Sequence, residues 1–295
     1  LGAGDFALAN SLARHAVVLT AAIGLVFTVL LVAFSSPLFS ALGAEGASLD
    51  AAMTYGHIVF ASLIPLWIMS ALASVIRGTG NMLLPGTVIC GGAILLIPLC
   101  AALIFGFGPI PALGVAGGAL ALAIYHTCGA LVLGWYCLSG RNPARLIRGP
   151  LHWAPMRNIL TVGGLACLNP IFTNGLIAAT TAIVGAHRGT QALAGYATAI
   201  PLEYVLIPIA FGLGAPMVAL VGANIGAGQP GRARNIALVG GAIAFAAGSS
   251  IGLAAALWPH AWLGLFGADV RLLETGSYYL RIVGPFYGFF AMGWR

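Results

Sequence analysis

The residue of this chain best placed to do chemistry is a glutamate inside a long apolar stretch. Glu203, in Pro201-Leu202-Glu203-Tyr204, is one of six acids among 295 residues, and the other five fall in stretches that read as connections. Burying an ionisable side chain in a bilayer costs several kcal/mol, so a carboxyl kept at that depth is a candidate for function. An apolar span starting near Ala192 puts Glu203 roughly 16 Å along its axis at 1.5 Å per residue. No arginine lies nearby in sequence to neutralise it. The chemistry to expect is uptake and release of a proton, or binding of a cation. The plain alternative is a permanently neutral glutamic acid that hydrogen-bonds a neighbouring helix.

Other groups are spaced to assist it. Pro201, Pro208 and Pro216 recur at seven and eight residues, near one face of the same helix. Each proline withholds an amide, which bends the helix and frees a carbonyl for a cation, a water or a hydroxyl. In the preceding span, Asn169 and Thr173 are four apart and share a face with Thr180, with Asn174 adjacent. These are the expected partners of Glu203, against the plain reading of interhelical hydrogen bonds alone. His126 is the deeper of two span histidines, the other being His57, and reads either as a proton carrier or substrate contact or as a neutral ring bonded to backbone. Cys90, Cys100, Cys128, Cys137 and Cys167 lack metal or redox spacing and read as small packing residues. No metal site and no cofactor are called for.

Positioning these groups requires membrane helices. The chain is 60% apolar and 6% charged, with a mean hydropathy of +1.03, outside the range of soluble domains. Eight stretches are long enough to cross a bilayer, near 15–36, 52–76, 83–106, 113–138, 158–183, 192–223, 236–257 and 276–294, against the roughly 20 residues a span needs. Their length and continuity exclude barrel strands. The expected fold is an all-α membrane protein.

The arrangement of these helices is written in an internal repeat. Leu1-Gly2-Ala3-Gly4 recurs as Ile225-Gly226-Ala227-Gly228, Leu42-Gly43-Ala44-Glu45 as Phe266-Gly267-Ala268-Asp269, and Tyr55 with Ile58-Val59 as Tyr279 with Ile282-Val283, all at an offset of 224. Such symmetry marks a transporter built from two halves with its site between them. There is no lysine, and nine of the twelve arginines fall in alternate connections, while Glu45, Asp50, Asp269 and Glu274 fall in the others. The arginine-rich side, with both ends of the chain, is therefore expected in the cytoplasm of an inner (plasma) membrane protein. The isoelectric point near 9.4 then reports topology and not nucleic-acid binding. Both Gly-Ala-Gly turns fall on that side, so the halves run parallel, as two six-helix lobes. The expected division is 1–140, an N-terminal lobe lacking its first two helices; 141–157, a cytoplasmic linker whose segment 150–155 is an amphipathic bridge; and 158–295, a C-terminal lobe lacking its last two.

The glycine motifs have a role of their own: they stop one helix, turn and start the next, with Asp5 or Gln229 able to bind helix-end amides. Gly2, Gly4, Gly78, Gly80, Gly226 and Gly228 are the expected hinge and loop glycines. A nucleotide loop is excluded, since no Gly-Lys-Ser/Thr follows.

Four motifs in order carry a resemblance to a known family. Arg77-Gly78-Thr79-Gly80-Asn81, Leu113-Gly114-Val115-Ala116-Gly117-Gly118-Ala119, Ala210-Phe211-Gly212-Leu213-Gly214 leading into Val221-Gly222, and Gly226-Ala227-Gly228 with Ala233-Arg234 resemble the multidrug and toxic compound extrusion (MATE) transporters. The resemblance implies that the visible spans are the third to tenth of twelve, around a cavity opening alternately to each side. It also implies export of amphipathic, often cationic compounds against protons or sodium. The chain departs from the pattern where relatives carry acids: Asn174 stands in the seventh helix, Leu96 and Cys100 in the fifth, and Ala215 and Ala223 replace glutamines of the eighth. Coupling then falls to Glu203, whose position is a glutamate in some relatives, or to an acid in the first helix.

These readings converge on a secondary active exporter, not an enzyme, with Glu203 for ion coupling and Asn169, Thr173, Asn174, Pro201 and His126 for the substrate cavity. The expected partners are a small-molecule substrate and the lipid bilayer, for a monomer. The alternatives are a lipid or lipid-linked oligosaccharide flippase, disfavoured because no arginine is deep in a span, and a passive channel. An intramembrane enzyme would need a catalytic constellation that is absent from the sequence.

Overall fold

The computed structural model describes residues 4–41, 44–108, 111–147, 149–267 and 269–293, with the side chains of Asn169, 185–194 and Arg271 outside the description. The described residues contain no strand. The chain is a series of helices: α1 (Phe6–Ala33), α2 (Ser35–Ala41), α3 (Gly46–Ala61), α4 (Leu63–Gly78), α5 (Leu83–Phe105), α6 (Val115–Leu138), α7 (Trp153–Ala199), α8 (Pro201–Gly226), α9 (Pro230–Leu257), α10 (Pro259–Leu263), α11 (Val270–Val283) and, after a 3₁₀ turn at Gly284–Phe286, α12 (Tyr287–Gly293). Among these residues seven helical stretches are long and apolar enough to cross a membrane. The side chains facing outward are themselves apolar. Ile94, Leu95 and Ile97 of α5 are 68%, 68% and 73% exposed, which water would not tolerate over so continuous a patch and lipid does.

Two of the expected spans differ in detail. In the expected stretch 276–294, the described residues to Gly293 are helical but interrupted, because Pro285 supplies no amide and the chain takes a 3₁₀ turn there. The stretch 52–76 is broken at Ser62, ahead of Pro65. Asp50 and Glu274, expected in connections, lie inside α3 and α11 near their starts. α7 is not straight either. Tyr196 hydrogen-bonds the hydroxyls of Thr180 and Thr181, which a straight helix would hold more than about 20 Å away at 1.5 Å per residue.

The chain forms two compact units, divided between Ile159 and Leu160. In the first, α4 and α6 share a core of Met69, Leu72, Ala73, Ile76, Leu133 and Cys137. Of the five cysteines only Cys137 is buried, and Cys90, Cys128 and Cys167 are exposed, so packing accounts for one of them and not for the set. The connection after α6 is tied down by polar groups. Arg14 donates to the carbonyls of Ile147 and Pro150 at 3.1 and 2.7 Å. The His152 amide donates to Nε2 of the fully buried His15 at 2.8 Å, which leaves Nδ1 to donate to the Ser11 carbonyl at 2.7 Å. Buried Asn142 bonds Thr79 and the Ala144 carbonyl. Residues 150–155 form no continuous helix: 150–152 are non-helical and held against α1, and α7 begins at Trp153.

In the second unit α8 packs a stripe of Leu202, Leu206, Ala210 and Gly214 inward, and Leu202 and Leu206 join Ala199, Ala255, Leu263, Leu280 and Tyr287 in one cluster. α9 lies against the 3₁₀ turn and α12 through glycines. A Cβ on Gly252 would sit 1.9 Å from the Gly284 carbonyl oxygen, and one on Gly248 would sit 2.7 Å from that of Tyr287. Small residues one turn apart allow such an approach between membrane helices.

The repeat extends to helix boundaries. α1 and α9 are both 28 residues long and start 224 apart, as do α2 and α10, and α3 and α11. The break at Ser62 falls opposite the 3₁₀ turn. Gly4 and Gly228 hold matching left-handed conformations, φ +74° and +71°, ahead of α1 and α9. Asp5 caps its helix, accepting from the Leu8 amide at 2.8 Å, whereas Gln229 makes no side-chain cap bond.

Candidate functional site

Glu203 stands in the first turn of α8, after Pro201 at the helix start, and within the apolar stretch Gly195–Gly226. A proline at that position costs no helical bond. Pro208 and Pro216 lie inside α8 and leave the carbonyls of Tyr204 and Gly212 without their helical amide donors. Glu203 is half-buried, flanked by Leu202 and Leu206 of the inward stripe. The helix is interrupted ahead of Pro201, so within the stretch Gly195–Gly226 Glu203 occupies the first turn of α8 and not the middle of a single helix that begins near Ala192.

The partner of Glu203 is a tyrosine. The Tyr279 hydroxyl, on α11, donates to Glu203 Oε1. Tyr279 is held in turn by Tyr196, whose ring meets it edge-on at 5.0 Å and 84°, and Tyr196 is anchored by Thr180 and Thr181. Tyr287, 2% exposed, belongs to the same cluster, and its buried hydroxyl has no hydrogen-bond partner. The backbones come close beside this network: a Cβ on Gly195 would lie 2.8 Å from the Leu272 carbonyl oxygen. A phenol donating to a carboxylate makes a charge-assisted hydrogen bond, stronger than one between neutral groups. The arrangement can hold a carboxylate in an apolar setting and reverse the direction of its hydrogen bond when the charge is neutralised.

The partners expected from sequence are distributed otherwise. Of the expected hydroxyls, Thr180 joins the network, at one remove through Tyr196. Asn174 is exposed and its side chain returns to the Pro170 carbonyl in its own helix, at 2.8 Å. Thr173 is half-buried, and the Asn169 side chain lies outside the described residues. His126 is in the first unit, on α6, half-buried beside Tyr125, with a buried Nδ1 that has no partner. His57 bonds Ser35 at 3.0 Å. Of the hinge glycines, Gly78 and Gly226 end α4 and α8, Gly80 and Gly228 have φ of +90° and +71°, as Gly4 has +74°, and Gly2 lies outside the described residues. Tyr279 itself was visible in the sequence only as the repeat mate of Tyr55. A cavity of about 340 Å³ opens by α10 and α11, bordered by His260, Glu274, Ser277 and Arg281, and Glu203 does not line it. Among the described residues no three His, Cys, Asp or Glu gather to hold a metal ion.

Comparison with known families decides the kinship. The MatE family model matches residues 1–102 and 166–293. The chain belongs to the MatE family. Among MatE relatives, it is 27% identical over 300 residues to a probable multidrug resistance protein NorM of Thermotoga maritima, covering 99% of this chain and 63% of that protein. It is 26% identical to an FAD transporter of Shewanella oneidensis, covering 98% of this chain and 64% of that protein. The chain thus spans less than two thirds of these relatives' length. Among solved structures, a crystal structure of MATE in complex with MaD3S superposes with a TM-score of 0.89 at 20% identity, over 99% of this chain and 65% of the other. That likeness establishes the MatE fold, as an all-α membrane protein.

Proposed function

We propose that the protein exports amphipathic, cationic organic compounds by antiport with protons or sodium, alternating access between two lobes, with Glu203 as the coupling acid. The observation that carries this reading is the Glu203 carboxyl, half-buried in an apolar stretch and held by a tyrosine from another helix. A cationic cargo and a coupling ion would compete for that one charge, so that ion binding on the outer side expels cargo and ion release inside restores the site. Asn174, Thr173, Asn169, Pro201 and His126 remain proposed cavity residues. The proposed setting is a plasma membrane, with the arginine-rich connections in the cytoplasm, for a monomer that needs no cofactor.

Kinship with a protein named as an FAD transporter supplies a second reading, an anionic dinucleotide as cargo. Against it, Arg14 is engaged by backbone carbonyls and Arg77 by Ser74 at the end of its helix. The test uses the full-length protein in proteoliposomes, following ethidium efflux after an imposed pH or sodium step, for the parent and Glu203→Gln, with FAD as competitor. Gradient-driven efflux that the substitution abolishes, with ethidium still bound, supports the reading. Equal efflux in both variants sinks Glu203 as the coupling acid. Gradient-independent flux points to a channel or flippase, and strong competition by FAD to the second reading.

A further inference from the structure

We propose that Tyr279 is the positioning residue of the Glu203 site and sets the pH at which that carboxyl exchanges its proton. This rests on Glu203 being the coupling acid. The Tyr279 hydroxyl is the group that donates to Oε1 of Glu203, and its ring is fixed from behind by the edge of Tyr196. The backbones run close there, since a Cβ on Gly276 would lie 3.1 Å from the Gly195 carbonyl oxygen and one on Gly195 would lie 2.8 Å from that of Leu272. The phenol is therefore delivered to the carboxylate by two helices packed in contact.

The titratable groups facing this site are few. α7 contributes Tyr196, α11 Tyr279 and α12 Tyr287, while Tyr204 on α8 itself is exposed. The members of the surrounding cluster from α9 and α10 are Ile251, Ala255, Trp262 and Leu263, which carry no charge. Among the described residues Tyr279 is the side chain that hydrogen-bonds Glu203, so the phenol is the neighbour that tells the two protonation states apart. With Glu203 ionised, Tyr279 donates and the carboxylate accepts. When the carboxylate takes a proton from hydronium, one hydronium O–H bond breaks, one carboxylic O–H forms and a water is left, and the carboxylic O–H becomes a donor with the Tyr279 oxygen able to accept. The same pair of oxygens thus serves both states with the donor role reversed.

A donor to the ionised form favours it, so its removal moves proton uptake to higher pH. In proteoliposomes of the full-length protein, Tyr279→Phe keeps the ring and the Tyr196 contact. It should move the pH profile of ethidium efflux to the alkaline side by about one unit, the size expected for losing one hydrogen bond to a charged group. Replacing Tyr279 by 3-fluorotyrosine, a stronger donor of nearly the same size, should move it to the acid side. Opposite shifts are not produced by a merely structural role, and the fluorotyrosine protein carries the test if the phenylalanine variant does not reach the membrane. An unmoved profile in both, with coupling still abolished by Glu203→Gln, overturns the role of Tyr279 and leaves Glu203 standing. Efflux that keeps its gradient dependence in Glu203→Gln overturns both, whereas efflux driven by sodium, indifferent to pH and abolished by Glu203→Gln overturns the pH-setting role of Tyr279 and leaves Glu203 standing.

Discussion

A buried hydroxyl without a partner is a liability, and the second unit has one beside its candidate site. Tyr287 is 2% exposed and its hydroxyl makes no hydrogen bond, while its ring fills the cluster of Leu206, Leu263 and Leu280. Tyr287→Phe keeps that ring and removes the unsatisfied group. The expected outcome is unchanged efflux and a stability equal to or about 1 kcal/mol above the parent, measured as thermal unfolding in detergent. A loss of transport would show that the hydroxyl is used in a state with a different partner. The contrast with Tyr279 explains what the sequence disclosed at this scale. Glu203 was legible, because one carboxyl in an apolar run stands out wherever it folds. Its partner was not, because a bond between residues 76 positions apart depends on how α8 and α11 pack, and a tyrosine in a membrane helix is unremarkable by itself. The nearby Asn174 drew attention by polarity, yet it spends its amide on the Pro170 carbonyl.

At the scale of elements, the helix break in each repeat is held by a different device at the same place. In the first unit the Thr28 hydroxyl of α1 donates to the Phe60 carbonyl at 2.7 Å. In the second, the equivalent residue of α9 is Gly252, packed on the Gly284 carbonyl, which is the counterpart of Phe60 at the offset of 224. One helix satisfies the exposed carbonyl with a hydroxyl, and the other brings its backbone onto it. Gly252→Val therefore forces the helices apart and should be the more damaging, costing several kcal/mol or preventing folding, in line with overpacking. Thr28→Val keeps the shape and loses one hydrogen bond, about 1 kcal/mol. Thermal unfolding of both variants checks the order, and the reverse order would refute the assignment. The polar tie after α6 gives a companion case. His15→Gln can still accept from His152 and should be tolerated, whereas His15→Leu leaves that amide unsatisfied and should cost about 1–3 kcal/mol. Boundaries of the long helices were readable because apolar runs and proline or glycine punctuation are local. The breaks at Ser62 and Gly284 were less so, since membrane helices often run through a proline when neighbours satisfy the freed carbonyl.

For the whole molecule, the repeat makes a topological statement that labelling can test. Six apolar helical stretches separate Asp5 from Gln229: Phe6–Ala33, Gly46–Gly78, Leu83–Phe105, Val115–Leu138, Trp153–Val184 and Gly195–Gly226. If all six cross, an even number of crossings returns the chain to the side it left and the two equivalent turns share a face of the membrane, as parallel repeats require and inverted repeats forbid. In the proposed orientation that face is the cytoplasmic one. In a cysteine-free background, single cysteines at Asp5, Ser139 and Gln229 should react with a membrane-impermeant maleimide only when the cytoplasmic face is open to it. Cysteines at Ala47 and Asp269, in or beside the connections carrying the acids, should react from the other side. Labelling of Asp5→Cys and Gln229→Cys from opposite faces would mean that one of the six stretches does not cross. The first to re-examine would be the α7 run, where Tyr196 comes back to Thr180 and Thr181 and the number of crossings depends on that return. If both label from the cytoplasm, Glu203 lies on a helix whose α8 end, Gly226, faces the cytoplasm. The Glu203–Tyr279 pair then belongs toward the outer end of its span, where the proposed antiport has its coupling ion arrive.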